Sequence, residues 1–213
     1  MQNKDESGRP VFRVVTSASE AEEHLRVIRQ AMERSTKHST LSGLSGVLAG
    51  LYALAAAIFA PTAITTLSQK VVFCLTWGAT LALAGLTDIL LTKRRAAQVG
   101  KRAFSPLGAQ LSRAAAPGLL MGVGVTLFHL LNPHALGTYI YGMWILSYAV
   151  ALLAVGMLSR KEVSVMGWAF LLAGIVALVL PEGFIVGPRA LMAATFGGFH
   201  IVYGLWMGSK YGW

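Results

Sequence analysis

The chain has 213 residues, 55% of them hydrophobic and only 13% charged, with a mean hydropathy of +0.61; a soluble domain carries about 25% charged residues, so an ordinary soluble globular protein is excluded. The net charge of +9 fits cytoplasmic loops facing anionic lipid rather than a nucleic-acid partner. The single cysteine, Cys74, excludes an intrachain disulfide framework and a cysteine-based metal site.

Residues 1–40 form a polar N-terminal segment with seven Lys/Arg and six of the nine acids. No cleavable signal peptide is expected, because the first apolar stretch comes too late. Within this segment, residues 17–34 (SASEAEEHLRVIRQAMER) predict an amphipathic helix. Ser17 with Glu20, or Ser19 with Glu22, supplies a capping box. Leu25, Ile28 and Met32 share one face, and Glu22 is spaced to pair with Arg26. Such a helix can lie on the lipid surface or dock a cytoplasmic protein or a second copy of the chain.

A membrane-spanning helix needs roughly 20 mostly apolar residues, and residues 41–208 offer six such segments. They are 41–60, 71–92, 117–133, 138–158, 163–180 and 190–208, with a basic loop at 93–116 and a tail at 209–213. The basic loop is expected to hold short interfacial helices. Sixteen of the 18 Lys/Arg fall in the N-terminal segment, the basic loop, the 160–161 link and the tail; only Lys70 and Arg189 fall on the other side. Cation-rich segments stay cytoplasmic, so both termini are expected in the cytoplasm. The fold class is therefore all-α: a polytopic integral membrane protein of six transmembrane helices arranged as three hairpins, with a cytoplasmic amphipathic helix in front.

A repeat runs through the second and sixth spans. Thr76, Trp77, Gly78, Gly85 and Leu86 match Thr195, Phe196, Gly197, Gly204 and Leu205 at a constant offset of 119. Repeats of this kind recur in transporter folds. Small-residue pairs at i, i+4 (Gly46 and Gly50, Gly118 and Gly122, Gly204 and Gly208) predict close helix packing or homodimerisation. Tyr139, Tyr141, Trp144, Trp168, Tyr203, Trp206 and Trp213 are expected mostly in the interfacial aromatic belts.

Ionisable residues inside the bilayer are functional candidates by default. Asp88 lies late in the second span, within reach of Lys93, Arg94 and Arg95. His129 is about 18 Å along the third span and His200 about 15 Å along the sixth, counted at 1.5 Å per residue. Their depths are comparable, so the two can share a ligand site or proton pathway; His129, His134 and His200 are candidate ligands for a divalent metal or a haem. The alternative is that both imidazoles bond neighbouring helices. Phosphate-binding, zinc-protease, hydrolase-elbow and CxxC motifs are all missing, so no catalytic residue is assigned and no enzymatic chemistry is expected.

The stretches MERSTKHSTLSGLSGVLAGL and FGGFHIVYG resemble a group of uncharacterised six-span bacterial inner-membrane proteins. Glu33, Arg34, Ser35, Gly197, Gly198, His200, Ile201 and Gly204 carry the resemblance. It implies a multi-pass protein of the bacterial inner membrane and brings no activity with it. The leading expectation is a non-enzymatic sensor, regulator or assembly component without a cofactor. The alternatives are a small transporter or channel using His129, His200 and Asp88, and a haem- or metal-binding membrane protein.

Overall fold

The computed structural model describes residues 22–28, 42–61, 64–98, 106–132, 136–179 and 187–213. Every regular element among them is helical. The chain divides into two units, Met1–Lys37 and His38–Trp213.

In the first unit, residues 22–28 form α1. Its apolar residues Leu25 and Ile28 are exposed. Arg26 pairs with Glu23 at 2.8 Å rather than with Glu22: in this rotamer the i, i+3 neighbour is the closer of two equivalent partners on the helix surface. Met32, Ser17, Ser19 and Glu20 lie outside the described residues, so neither expected capping box is described in full.

The second unit holds α2 (Gly43–Phe59), α3 (Leu67–Gln98), α4 (Pro106–Leu131), α5 (Tyr139–Met157), α6 (Lys161–Val179) and α7 (Pro188–Tyr211). Five of these, α3 to α7, are long and apolar enough to cross a membrane; α2 is apolar but has 17 residues, about 25 Å of helix. The described ends of α5 and α6 agree with the expected spans. α3 and α4 extend well beyond theirs, so residues 93–98 and 106–116 continue the two helices instead of forming separate interfacial ones. At the start of α3, the Gln69 Oε1 accepts from the backbone N–H groups of Thr65 and Thr66, and Thr66 Oγ1 accepts from the Gln69 N–H. This capping box places the helix start ahead of the apolar run. Pro117, expected to open the third span, lies inside α4. Membrane helices absorb an internal proline by re-satisfying the freed carbonyl locally.

α2 and α7 pack antiparallel and very closely. A Cβ on Gly46 would lie 2.9 Å from the Gly204 Cα, and one on Gly50 would lie 2.6 Å from the Gly197 carbonyl oxygen. These small residues bring two backbones together where lipid supplies no hydrophobic force to do so. At the far end, Arg189 donates to the Ala60 carbonyl at 3.3 Å. α4 packs on α5 in the same way, through Gly118 against Ser147 and Ala151. α5 and α6 interlock over their length through Gly142, Gly167 and Gly174, each filled by a leucine of the other helix.

The neighbours in the bundle follow the order α3, α2, α7, α6, α5, α4, while α3 and α4 touch only slightly. α6 and α7 also share little backbone contact but are bridged by rings such as Phe170 against Phe196 and Phe199, so the six helices form a ring with its unbridged seam between α3 and α4. The closest packing (α2 on α7, α5 on α6) joins helices from different expected hairpins.

Candidate functional site

The ring encloses a cavity of about 300 Å³ whose walls come from α2, α3, α4, α5 and α7. That is twice the roughly 150 Å³ apolar cavity that accepts a benzene molecule, and it reaches the lower end of small-molecule pockets. Its walls are mainly apolar. On the open side stand Gly78 and Leu81 of α3 and Leu119, Val123 and Leu127 of α4, all exposed. The α4 residues recur every fourth position, so one helix face lines the mouth.

His200 stands on the inner wall. Its Nε2 is 2.8 Å from the Tyr148 hydroxyl. Rings of Tyr148, Phe170 and Phe196 surround it at centroid distances of 5.5, 5.6 and 6.4 Å. The aromatic packing continues from Phe196 to Trp77 at 5.8 Å, then to Phe73 at 6.5 Å and to Trp144 at 5.2 Å. Trp144 Nε1 donates to Thr126 Oγ1 at 3.0 Å, and both residues line the cavity. The cavity therefore has apolar walls and a small polar pole at Tyr148 and His200.

The local cause is a π-helical stretch in α7, Ala193–Phe199. A π-bulge adds a residue to a helical turn and often marks a functional position. Here it coincides with the TFGGF run. Gly197 lies against Leu54 and the α2 backbone, while Phe196 and His200 line the cavity.

The three expected polar points lie in separate surroundings. Asp88 accepts from Ser45 Oγ of α2 at 2.6 Å. His200 pairs with Tyr148 at the cavity wall. His129 is fully buried, does not line the cavity, and neither ring nitrogen has a hydrogen-bond partner among the described residues. It lies within electrostatic reach of Lys70, which is also buried. His134 lies outside the described residues. Among the described residues no group of three or more His, Cys, Asp or Glu comes together to hold a metal. Replacing His129 by leucine is expected to leave stability unchanged or raise it by about 1 kcal/mol, because it removes a buried polar ring that has no hydrogen bond among the described residues. Reversible unfolding in detergent measures this; a clear destabilisation would mean that the ring does bond.

The sequence pattern did not single out Tyr148, Phe170 or Trp77 as site residues. It placed Tyr141 and Trp144 mostly with the interfacial belt, but Tyr141 is buried and Trp144 stacks on Phe73 inside the bundle. Trp168 and Trp213 are exposed, as a belt requires. The one signal in the sequence was the aromatic at every few positions of α5, which belts and cores share.

At the other end of α7, Glu162 is almost fully buried and accepts from Lys210 Nζ at 2.7 Å and from the Tyr211 hydroxyl at 2.8 Å. The Arg160 guanidinium lies 3.6 Å over the Tyr211 ring. These contacts fasten the end of α7 to the α5–α6 link.

Among the described residues the fold is all-helical, and five apolar helices long enough to cross a membrane place the chain in the multi-pass membrane class. No known protein family, curated protein or solved structure matches the chain.

Proposed function

We propose that this protein crosses the bacterial inner membrane six times, as three hairpins with both termini in the cytoplasm, and acts there as a non-enzymatic sensor that holds a small apolar molecule in its bundle. The cavity between α3 and α4 carries this reading. Its walls suit an apolar occupant, and the Tyr148–His200 pair offers a polar contact between two side chains, beside the Thr80, Thr126 and Ser147 hydroxyls that donate to their own helices. The cytoplasmic segment 1–40, which carries α1, is the element through which occupancy reaches a soluble partner or a second copy; membrane lipid surrounds the rest. The distribution of cations, sixteen of 18 on one side, supports the six-span threading.

Native mass spectrometry of the protein released from gently extracted micelles tests the binding reading. The expected result is an added mass of a small apolar molecule that Gly78→Phe removes; an apo mass in every preparation would overturn it. The threading makes its own prediction. Reporters fused after Thr65 and after Gly187 should be external, and reporters after Gln98 and after Arg160 cytoplasmic. A cytoplasmic Thr65 fusion would remove α2 from the set of spans.

A further inference from the structure

The open seam and the polar pole specify the occupant further. We propose that the cavity takes a single-chain or compact-ring apolar molecule carrying one hydrogen-bonding oxygen, which slides in from the bilayer between α3 and α4 and sets that oxygen against the Tyr148–His200 pair. The inference rests on the binding reading above and adds to it the route and the chemical class.

The route follows from how the ring of helices is broken. α3 and α4 end the sequence of packed neighbours, and the residues along their seam are exposed leucines, a valine and a glycine. An apolar molecule dissolved in lipid meets no charged side chain among these mouth residues. Gly78 has a particular place in this. A Cβ built on it meets nothing within 4 Å, whereas its repeat counterpart, Gly197, is pressed against Leu54. One copy of the repeated glycine closes a helix contact and the other keeps the mouth clear.

The class follows from the walls. At about 300 Å³ the space is too small for a two-chain lipid and suits a molecule near twice the size of benzene. A hydroxyl on that molecule can donate to the Tyr148 hydroxyl, which keeps lone-pair capacity beyond its bond to His200. Without such an oxygen, nothing rewards alignment along the cavity.

The reporters are built in, because Trp77 and Trp144 line the cavity. The test uses a chain with Trp168, Trp206 and Trp213 replaced by phenylalanine, reconstituted in phosphatidylcholine vesicles. A medium-chain alcohol brominated at its far end and the matching bromoalkane are titrated as quenchers. The alcohol should quench at about tenfold lower concentration than the alkane, the gain of one hydrogen bond. Tyr148→Phe should erase that difference and leave the alkane curve in place, and Gly78→Phe should abolish quenching by both. Equal quenching by alcohol and alkane, unmoved by Tyr148→Phe, would overturn the polar-pole assignment while leaving the binding reading intact. Quenching unaffected by Gly78→Phe would overturn the route. No quenching by either ligand would overturn the binding reading itself. In a parallel arm the vesicles carry brominated acyl chains and no added ligand; full quenching there, with none added by the alcohol, would identify the occupant as a bilayer lipid chain and overturn the proposed class.

Discussion

Gly204→Leu is expected to lower the unfolding free energy by about 3 kcal/mol, or to prevent accumulation of the protein, whereas Gly85→Leu, which matches it in sequence at an offset of 119, should change it by less than about 1 kcal/mol. The two glycines have the same local sequence pattern but opposite environments. A Cβ on Gly204 would stand 2.7 Å from the Gly43 carbonyl oxygen and 2.8 Å from Val47 Cγ2, while one on Gly85 meets nothing within 4 Å. Overpacking ordinarily costs about 1–3 kcal/mol because side chains can shift. Here part of the obstacle is the backbone of α2, which cannot move without separating the helices. On the exposed face of α3, leucine replaces a helix-weakening residue and meets only lipid or the mouth of the cavity. Unfolding by SDS titration from mixed micelles measures both variants. Equal costs would mean that α3 packs against a surface in the membrane as closely as α7 packs on α2.

That contrast shows what the sequence carries and what it does not. Glycine spacing at i, i+4 marks surfaces capable of close approach, and Gly46, Gly50, Gly118 and Gly204 do pack this way. Spacing does not name the partner: Gly78 and Gly85 match Gly197 and Gly204 in sequence, yet a Cβ on either meets nothing within 4 Å. Apolar runs located α5 and α6 well, since a turn of a few residues interrupts hydropathy sharply at Ser159 and Arg160. They underestimated α3 and α4, where the helices continue beyond the hydrophobic stretch into basic residues such as Lys93, Arg94 and Arg113; those side chains tolerate water at a helix end and leave no break in helical propensity. His200 was legible as a titratable ring inside an apolar helix, because an imidazole set among the apolar residues of FGGFHIVYG is carried into the bilayer with them and must find its hydrogen bond inside the bundle. Its partner was not, since Tyr148 lies 52 positions away and only the fold brings it near. The same holds for Glu162, whose partners Lys210 and Tyr211 are 48 and 49 positions distant. The π-helical stretch escaped because its FGGF signal also fits plain small-residue packing.

Phe170→Ala should be among the most damaging truncations in the bundle, costing about 2 kcal/mol from the cavity it leaves, with Trp168→Ala on the same helix costing less than about 1 kcal/mol. Phe170 has no exposed surface and lies edge-on to four rings: Tyr148 at 5.0 Å, Phe196 at 5.2 Å, Phe199 at 5.3 Å and His200 at 5.6 Å. Trp168 is 57% exposed and faces away from that cluster. In lipid the transfer of an apolar ring out of the bundle is nearly free of hydrophobic cost, so the difference between the two variants measures contact and cavity terms alone. The truncation also has a functional consequence. It removes the ring that backs both Tyr148 and His200, so the polar pole loses its fixed orientation and the void joins the wall of the existing cavity. The brominated alcohol should then lose its advantage over the alkane, and longer ligands should bind better than in the parent chain. Unfolding in mixed micelles and the quenching titration read these effects separately. If Phe170→Ala and Trp168→Ala proved equally mild, van der Waals packing around the histidine would not be what holds α6 against α7.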